Sequence, residues 1–175
     1  TGNSARTAGF NVANTGGLSF PMLLVMMFLM WIGASPGSTG GGIKTTTFAV
    51  AVLNIVSLAK GKDNLEIFGR KVSDDSVNKA FAIVLLSFFA IGLTIVALSI
   101  TDGNLGLWAI AFESFSAYAT CGLSVGITPQ LSDGGKVILT CCMFAGRVGM
   151  LTLLVALVKN IRNRSYAYPQ EKVLF

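Results

Sequence analysis

The chain consists mostly of long uncharged stretches. Within them, hydrophobic and polar residues neither alternate strictly nor repeat with an amphipathic period. No charged residue occurs in 80–101, and Arg147 is the only one between Lys136 and Lys159. About 20 apolar residues are enough to cross the hydrocarbon core of a bilayer. We therefore predict transmembrane helices over 80–101 and 136–158.

A third apolar stretch, 18–58, is too long for one straight span. As a single helix it would measure about 60 Å, roughly twice the thickness of the hydrocarbon core. It contains GASPGSTGGGIKTTT at 33–47, and proline and glycine are poor residues for a helix interior. The sequence therefore predicts a broken helix, with the break at this glycine-rich segment.

The same glycine-rich segment has a partial likeness to a phosphate-binding loop. Gly37 and Gly42 have the Walker A separation, but Ile43 lies between Gly42 and Lys44. The motif requires lysine directly after the second glycine, and it follows a short buried strand rather than a long Met- and Leu-rich stretch. We therefore reject a nucleotide site here.

Composition and charge agree with a membrane protein. The chain is 53% hydrophobic and 12% charged, whereas soluble domains carry about 25% charged residues. The formal net charge of +5 comes from lysine and arginine beside the apolar stretches, so it does not indicate a nucleic-acid partner. By the positive-inside rule, the connector 61–79 and the tail 159–175 are expected to be cytoplasmic.

The chain carries an internal repeat at an offset of 113 residues, at which Thr7-Ala8-Gly9 aligns with Thr120-Cys121-Gly122. Further pairs are Leu18-Ser19 with Leu131-Ser132, Met30 with Met143, Trp31 with Phe144, and Gly33 with Gly146. Each copy is a T-x-G segment, a polar turn and a membrane helix. The second copy follows 107–119, which as a helix would reach only about 20 Å. We predict a half-helix that enters the membrane and turns back.

A T-x-G segment after a half-helix has a physical use in a membrane. Irregular backbone is tolerated at membrane depth only where it is buried in protein or lines an aqueous cavity. Glycine permits backbone angles that let successive carbonyls face one axis and replace the water shell of an ion. The carbonyl end of the half-helix also favours a cation. The sequence thus predicts a cation path along 120–124.

Five motifs together are characteristic of one family. They are SARTAGFN (4–11), GASPGSTGGGIKTTTFAV (33–50), EIFGRKV (66–72), FESFSAYATCGLSVGITPQLS (112–132) and MFAGRVGMLTL (143–153). They resemble the Trk/Ktr/HKT superfamily of potassium transporters, most closely the membrane subunit of bacterial Ktr-type K⁺ uptake systems.

The resemblance implies an all-α membrane protein with four helix–pore-loop–helix repeats around a central pore, a K⁺-channel-like pseudo-tetramer. Residues 1–60 would be the filter loop and broken second helix of the third repeat, and 61–79 a cytoplasmic connector. Residues 80–158 would be the fourth repeat, and 159–175 a cytoplasmic tail. Two N-terminal repeats of the same protein are expected to precede this chain.

The resemblance also assigns the ion path. The third filter segment would be Thr7, Ala8, Gly9, Phe10 and Asn11, and the fourth would be Thr120, Cys121, Gly122, Leu123 and Ser124. Glycine at the centre of each segment goes with K⁺ in the family, although the first repeat, where serine often goes with Na⁺, lies outside this chain.

The glycine-rich break would be an intramembrane gate below the filter. Its residues are Gly33, Ser35, Pro36, Gly37, Ser38, Thr39, Gly40, Gly41 and Gly42. The alternative is a passive hinge in a packed helix. Lys44, directly below, is expected to snorkel or to contact the tail.

Arg147 is the second gate element. An arginine within a span costs several kcal/mol unless it is paired or hydrated, and Arg147 aligns with Ala34 at the repeat offset. We expect it to donate to carbonyls of the glycine loop, to latch the closed state and to oppose a cation nearby. A structural arginine that caps helix ends is the alternative. Glu113 is expected either to bond backbone groups behind the filter or to be solvated near the outer face.

The predicted function is K⁺ uptake across the cell (inner or plasma) membrane by a multi-pass protein with a cytoplasmic C-terminus. The alternative is a Na⁺-selective or Na⁺-coupled symporter of the same fold. An enzyme is rejected, because the chain has no histidine and no nucleophile with an evident base. K⁺ is the transported ion, and no cofactor is expected. The resemblance implies a homodimer on a cytosolic nucleotide-binding ring, embedded in the lipid bilayer.

Overall fold

The structure is a computed structural model that describes residues 19–33, 35, 37, 40–61, 66–67, 70–149 and 152. The predicted third filter segment, Thr7–Asn11, lies outside the described residues. So do Ala34, Pro36, Ser38 and Thr39 of the glycine-rich segment and the tail 159–175.

Five helices make up most of the described chain. They are α1 (Phe20–Trp31), α2 (Thr45–Ala59), α3 (Asp74–Thr101), α4 (Leu107–Tyr118) and α5 (Asp133–Val148). Two short strands, β1 (Glu66–Ile67) and β2 (Arg70–Lys71), lie in the connector. They pair antiparallel, with Glu66 opposite Lys71 and Ile67 opposite Arg70. The fold is therefore helical, as expected, with one small hairpin that the pattern did not predict.

The long apolar stretch 18–58 is interrupted at the predicted place. Helix α1 ends at Trp31 and α2 begins at Thr45, and the residues described between them are not helical. Each of the two helices is too short on its own to cross a bilayer. The interruption therefore lies within the apolar stretch, between two apolar helices.

Helix α3 is the long helix of the fold. Within the described residues, only Asp75–Thr101 is both long enough and apolar enough to cross a membrane. The helix begins at Asp74, before the uncharged stretch 80–101. Asp75 lies in its first turn, where the positive end of the helix dipole favours carboxylates.

Helix α5 departs from the prediction. It begins at Asp133 and ends at Val148, whereas a single span over 136–158 was predicted. Gly149 has φ +88°, a left-handed conformation that glycine adopts easily and that commonly ends a helix. Its N–H donates to Ala145 O at 3.1 Å. The apolar pattern continues past this glycine, which is why composition did not reveal the end.

Helix α3 packs against α2, α4 and α5, and α4 packs against α1 and α5. The main buried cluster contains Trp31, Ile91, Ile110 and Tyr118, and the Trp31 indole N–H donates to Ser87 Oγ at 3.1 Å. Large apolar side chains are also exposed on the outside of the helices, such as Ile100, which is 80% exposed. Continuous apolar exposure of this kind fits contact with lipid or with further apolar helices.

Candidate functional site

The half-helix α4 leads directly into the predicted fourth filter segment. It ends at Tyr118, and the next backbone donors cap it: Ala119 N bonds Phe115 O at 2.9 Å, and Cys121 N bonds Ser116 O at 3.0 Å. Thr120 has φ +52°, which is uncommon for a residue other than glycine. The chain then leaves the helix in a non-helical path whose first residues adjoin the negative end of the helix dipole.

Side chains of this segment pack into the protein and leave the backbone open at its centre. Cys121 and Leu123 are buried in a cluster with Met30 and Phe112. Gly122 is exposed, has φ +84°, and a Cβ added to it would meet nothing within 4 Å. The thiol of Cys121 is therefore a packing group, and the main chain faces open space at Gly122.

The glycine-rich segment forms a loop whose two ends are joined. Ile32 and Ile43 form a parallel bridge, and Ile43 N donates to Trp31 O at 3.3 Å. A Cβ on Gly33 would overlap the carbonyl oxygen of Gly41. Glycine at 33 therefore allows the outgoing and returning chains to touch.

This glycine loop (32–43) contacts the fourth filter segment. Gly41 N donates to Thr120 Oγ1 at 2.9 Å. A Cβ on Gly41 would lie 2.5 Å from Thr120 Oγ1 and 3.0 Å from Ala119 O, closer than real Cβ atoms approach such groups. The bare backbone at Gly41 is therefore what brings the two predicted elements together.

Lys44 and Arg147 line one cleft next to the glycine loop. The cleft has a volume of about 200 Å³, and its walls include Gly40, Gly41 and Tyr118. Lys44 Nζ donates to Gly40 O at 2.8 Å. The Arg147 side chain is exposed, so it reaches the cleft without being enclosed by the described part of the chain.

Lys44 was predicted to snorkel or to contact the tail, but in the structure its ammonium contacts the glycine loop. It stands at the N-terminal end of α2, where the helix dipole disfavours a cation. The Lys44 ammonium bonds the carbonyl of Gly40, four residues earlier in the chain. Because residues 40–43 are not helical, this spacing could not be predicted from a helical periodicity in the sequence. That Arg147 donates to the same loop stays a prediction.

Helix α5 closes the cleft by a backbone contact. A Cβ on Gly146 would overlap the Tyr118 carbonyl oxygen, with Tyr118 C at 2.8 Å. Gly146 therefore allows α5 to approach the end of the half-helix at the turn before Arg147. This contact brings Arg147 near the start of the filter segment.

Glu113 lies in the half-helix and is 6% exposed. Its Oε1 accepts hydrogen bonds from Ser124 Oγ and from Thr128 Oγ1, the latter at 3.2 Å. The backbone N–H of Val125 also donates to its carboxyl group. Of the two alternatives predicted for Glu113, the solvated one is wrong, since the side chain is buried. Its partners are two side-chain hydroxyls together with the Val125 N–H, rather than the backbone groups alone that were predicted.

The short helix α4 therefore ends in an open, glycine-centred backbone that lies beside the glycine loop. Sequence comparisons identify the class of protein that carries these elements. Residues 2–167 match the family described as TrkH, cation transport protein. The chain belongs to this family, which confirms the resemblance to the Trk/Ktr superfamily. The matched proteins are transporters rather than enzymes, as predicted, and a transporter family of this kind is a membrane one.

Individual relatives are more specific. The chain is 38% identical over 168 residues to the Ktr system potassium uptake protein B of Bacillus subtilis, a match covering 96% of this chain and 37% of the relative. It is 39% identical over 171 residues to the protein of the same name in Vibrio alginolyticus, covering 98% and 37%. The potassium/sodium uptake protein NtpJ of Enterococcus hirae is 36% identical over 174 residues, covering 97% and 39%.

A solved structure supports the fold. The potassium transporter TrkH from Vibrio parahaemolyticus superposes with a TM-score of 0.67 at 21% identity, covering 89% of this chain and 35% of that chain. At this identity the match shows the fold alone. The chain thus spans a little over a third of the length of the relatives it matches.

Proposed function

We propose that this chain supplies the end of the third and the whole of the fourth helix–pore-loop–helix repeat of a K⁺ uptake pore. The filter would be formed by the backbone carbonyls of Thr7–Asn11 and Thr120–Ser124. The observation that carries the proposal is the open backbone at Gly122, directly after the half-helix α4. Two preceding repeats of the same protein complete the ring of carbonyls.

The direction of α4 supports this assignment. Its C-terminal end adjoins the filter segment, so the partial negative charge of the helix dipole favours a cation there. Carbonyl oxygens at this point can replace an ion's water without a carboxylate in the ion path.

The glycine loop is the proposed gate, and Arg147 is the charge that sets its barrier. The loop lies against Thr120, where the filter segment begins. Arg147 shares a cleft with Gly40–Gly42, and a cation passing that cleft would experience its repulsion. Lys44, which bonds Gly40 O, adds a second positive charge at the same cleft.

A Na⁺-selective or Na⁺-coupled symporter is the second candidate. It is favoured by one relative, whose name refers to potassium and sodium uptake. The two candidates share the same backbone path in this chain and differ in which ion the complete filter admits.

Flux measurements test the proposal and separate the two candidates. The transporter that contains this chain is expressed in cells deficient in K⁺ uptake, and uptake is measured with K⁺ alone, Na⁺ alone and both. K⁺ uptake without Na⁺ supports the K⁺ pore, and uptake that needs Na⁺ supports the symporter. Absence of both fluxes, with the protein present in the membrane, overturns the proposal.

We further propose that the complete protein is a multi-pass homodimer in the cell membrane, with its C-terminus in the cytoplasm. A cytosolic nucleotide-binding ring would contact it. The connector 61–79 and the tail 159–175, which are expected to be cytoplasmic, are the segments that would face such a ring. The names of two relatives describe them as part of a Ktr system, which agrees with a transporter of more than one component.

A further inference from the structure

We propose that Glu113 is a positioning residue for ion selectivity, because its carboxylate fixes the far end of the Thr120–Ser124 segment. This inference rests on the proposed function, since it assigns Glu113 a task in the same filter. It goes beyond the carbonyls themselves to the group that sets their spacing.

The first argument is the burial of a carboxyl group within an apolar half-helix. Glu113 is 6% exposed, and Ile110, Phe112, Ala117 and Tyr118 of the same helix are also buried. Burying an ionisable group is costly unless hydrogen bonds compensate it. Within 75–149, no lysine or arginine forms an ion pair with Glu113, and the donors that bond its carboxyl group are neutral.

The second argument is where those donors lie. Ser124 Oγ, Val125 N and Thr128 Oγ1 all donate to the Glu113 carboxyl group, and all belong to the few residues at the end of the filter segment and just after it. Ser124 Oγ in turn accepts from Gly126 N at 2.9 Å. One carboxylate therefore organises the chain as it leaves the filter.

The third argument is that the near end of the segment is held separately. Cys121 N bonds Ser116 O at 3.0 Å, and Thr120 Oγ1 accepts from Gly41 N at 2.9 Å. Between these two anchors lies Gly122, which has no neighbour within 4 Å of a Cβ position. The backbone at the centre is therefore shaped by its ends, and Glu113 holds one of them.

A carboxylate suits this task better than an amide. It presents two oxygens with about four acceptor sites and no donor, which matches three incoming donors. Glutamine would keep one acceptor oxygen but would lose the charge, so the hydrogen bonds that Ser124 and Thr128 make to Oε1 would become neutral and weaker. Hydrogen bonds to a charged group are roughly twice as strong as neutral ones, so weakening them is expected to let the far end of the segment shift.

The test is Glu113→Gln in the full transporter that contains this chain. We measure K⁺ and Na⁺ uptake separately, together with the amount of protein in the membrane. The preference for K⁺ over Na⁺ is expected to fall by about threefold or more, a change that part of one such hydrogen bond can account for. A residue needed only for packing would lower the amount of protein and leave this preference unchanged.

Two further variants make the result decisive. Ser114→Ala is the matched control, because Ser114 is the neighbouring buried residue and donates only to Ile110 O of its own helix, at 2.8 Å. It is expected to leave the preference unchanged. Thr128→Val removes one donor from an exposed position and is expected to reduce the preference in the same direction by a smaller factor.

The outcomes separate the two proposals. If the wild-type transporter carries neither ion, the proposed function fails and this inference fails with it. If the wild type selects K⁺ but Glu113→Gln and Thr128→Val select it equally well, only the role of Glu113 is overturned. If Glu113→Gln does not accumulate in the membrane, Thr128→Val decides, and an unchanged preference there also overturns it.

Discussion

Helices α1 and α5 occupy equivalent positions of the 113-residue repeat but end in different ways. Both begin at the equivalent residue, Phe20 and Asp133, after a serine. Helix α1 ends at Trp31, whereas α5 continues past the equivalent Phe144 to Val148. The extra turn of α5 carries Arg147, where the other copy has Ala34 in the glycine-rich segment.

The difference between the copies shows how one sequence pattern can have two structural uses. Gly33 and Gly146 are equivalent, and each prevents a clash with a carbonyl oxygen: Gly41 O within its own loop, and Tyr118 O in another helix. In the first copy the glycine allows the chain to fold back on itself. In the second it allows a helix to pack closely against the half-helix.

The largest expected effect comes from Gly146→Ala. Its Cβ would overlap the Tyr118 backbone, which is held between packed helices, and overpacking of this kind costs about 1–3 kcal/mol or more. We expect loss of most K⁺ uptake and of thermal stability in detergent. Gly33→Ala, which clashes with a loop that can shift, is expected to have a milder effect.

Gly92→Ala is the control for both glycine variants. Gly92 is exposed in α3, and a Cβ there meets nothing within 4 Å; alanine also has the higher helix propensity. We expect uptake and stability to match those of the wild type. Equal tolerance of alanine at 146, 33 and 92 would refute the close-approach explanation.

The second effect concerns the charge found in only one copy. Replacing Arg147 with Gln, or with Ala, is expected to raise K⁺ uptake on the order of tenfold. A unit charge about 10 Å from the ion path contributes roughly 1–2 kcal/mol at an effective dielectric constant near 20. Initial rates of uptake at matched protein levels measure it.

Lys136→Gln is the control for Arg147, because Lys136 lies in the same helix, is exposed and pairs at 3.4 Å with Asp133. It removes the same unit of charge at the other end of α5. Unaltered uptake in Arg147→Gln, or an equal rise in Lys136→Gln, would show that Arg147 does not set the barrier.

A smaller effect is expected where the two copies touch, at Thr120. Thr120→Val keeps the side-chain shape but removes the acceptor of Gly41 N–H. An unsatisfied buried donor costs about 1–3 kcal/mol, so the glycine loop should leave its position more often and basal K⁺ leak should rise a few-fold. Thr120→Ser retains the hydroxyl and should restore the wild-type leak; the same leak in both variants would argue against this contact.

The smallest effect lies at the start of α5, where the copies also differ. At the start of α5, Ser132 donates hydrogen bonds from its backbone N and its Oγ to the Asp102 carboxylate, both at 2.9 Å. At the start of α1, the side chain of the equivalent residue, Ser19, does not cap the helix. The hydrogen bond from the Ser132 backbone N–H lowers the pKa of Asp102 below its ordinary value. Partial desolvation raises this pKa, but the hydroxyls of Ser132 and Thr101 and the charge of Lys136 lower it further.

Because the pKa is lower in the folded state, the contribution of Asp102 to stability is complete above its unfolded pKa, about pH 4. It is lost as the pH falls further through the folded pKa. We therefore compare the thermal unfolding temperature of the wild type and of Asp102→Asn in detergent from neutral to acidic pH. The difference between the two proteins should be smaller at the most acidic pH than at neutral pH. A difference that does not change with pH would contradict this.

Sequence reasoning recovered the features that follow from length and residue type. A stretch such as 107–119 is too short to cross a bilayer, and 18–58 is too long, so the short helix α4 and the break after α1 follow from dimensions alone. The end of α5 was missed because apolar residues follow Gly149 in the sequence, and a single glycine does not by itself reveal the φ that ends a helix.

Contacts between distant residues were equally hidden. Gly41 and Thr120 lie 79 positions apart, and nothing in either motif specifies that they meet. The role of Lys44 escaped for a related reason: its bond to Gly40 O depends on a loop conformation rather than on helical spacing. For Glu113, the donors at 124–128 are brought within reach only by the turn that follows the filter segment.

The bridge between Ile32 and Ile43 has a mechanical consequence. Because it ties the base of the glycine loop, a movement of this loop as a flap would leave the flanking helices where they are. If this flap is the gate, the protein opens and closes with almost no change in its cross-section in the bilayer. Membrane tension and thickness would then have little effect on conduction. A force applied at the base of the flap, through Lys44 and α2, would instead change conduction.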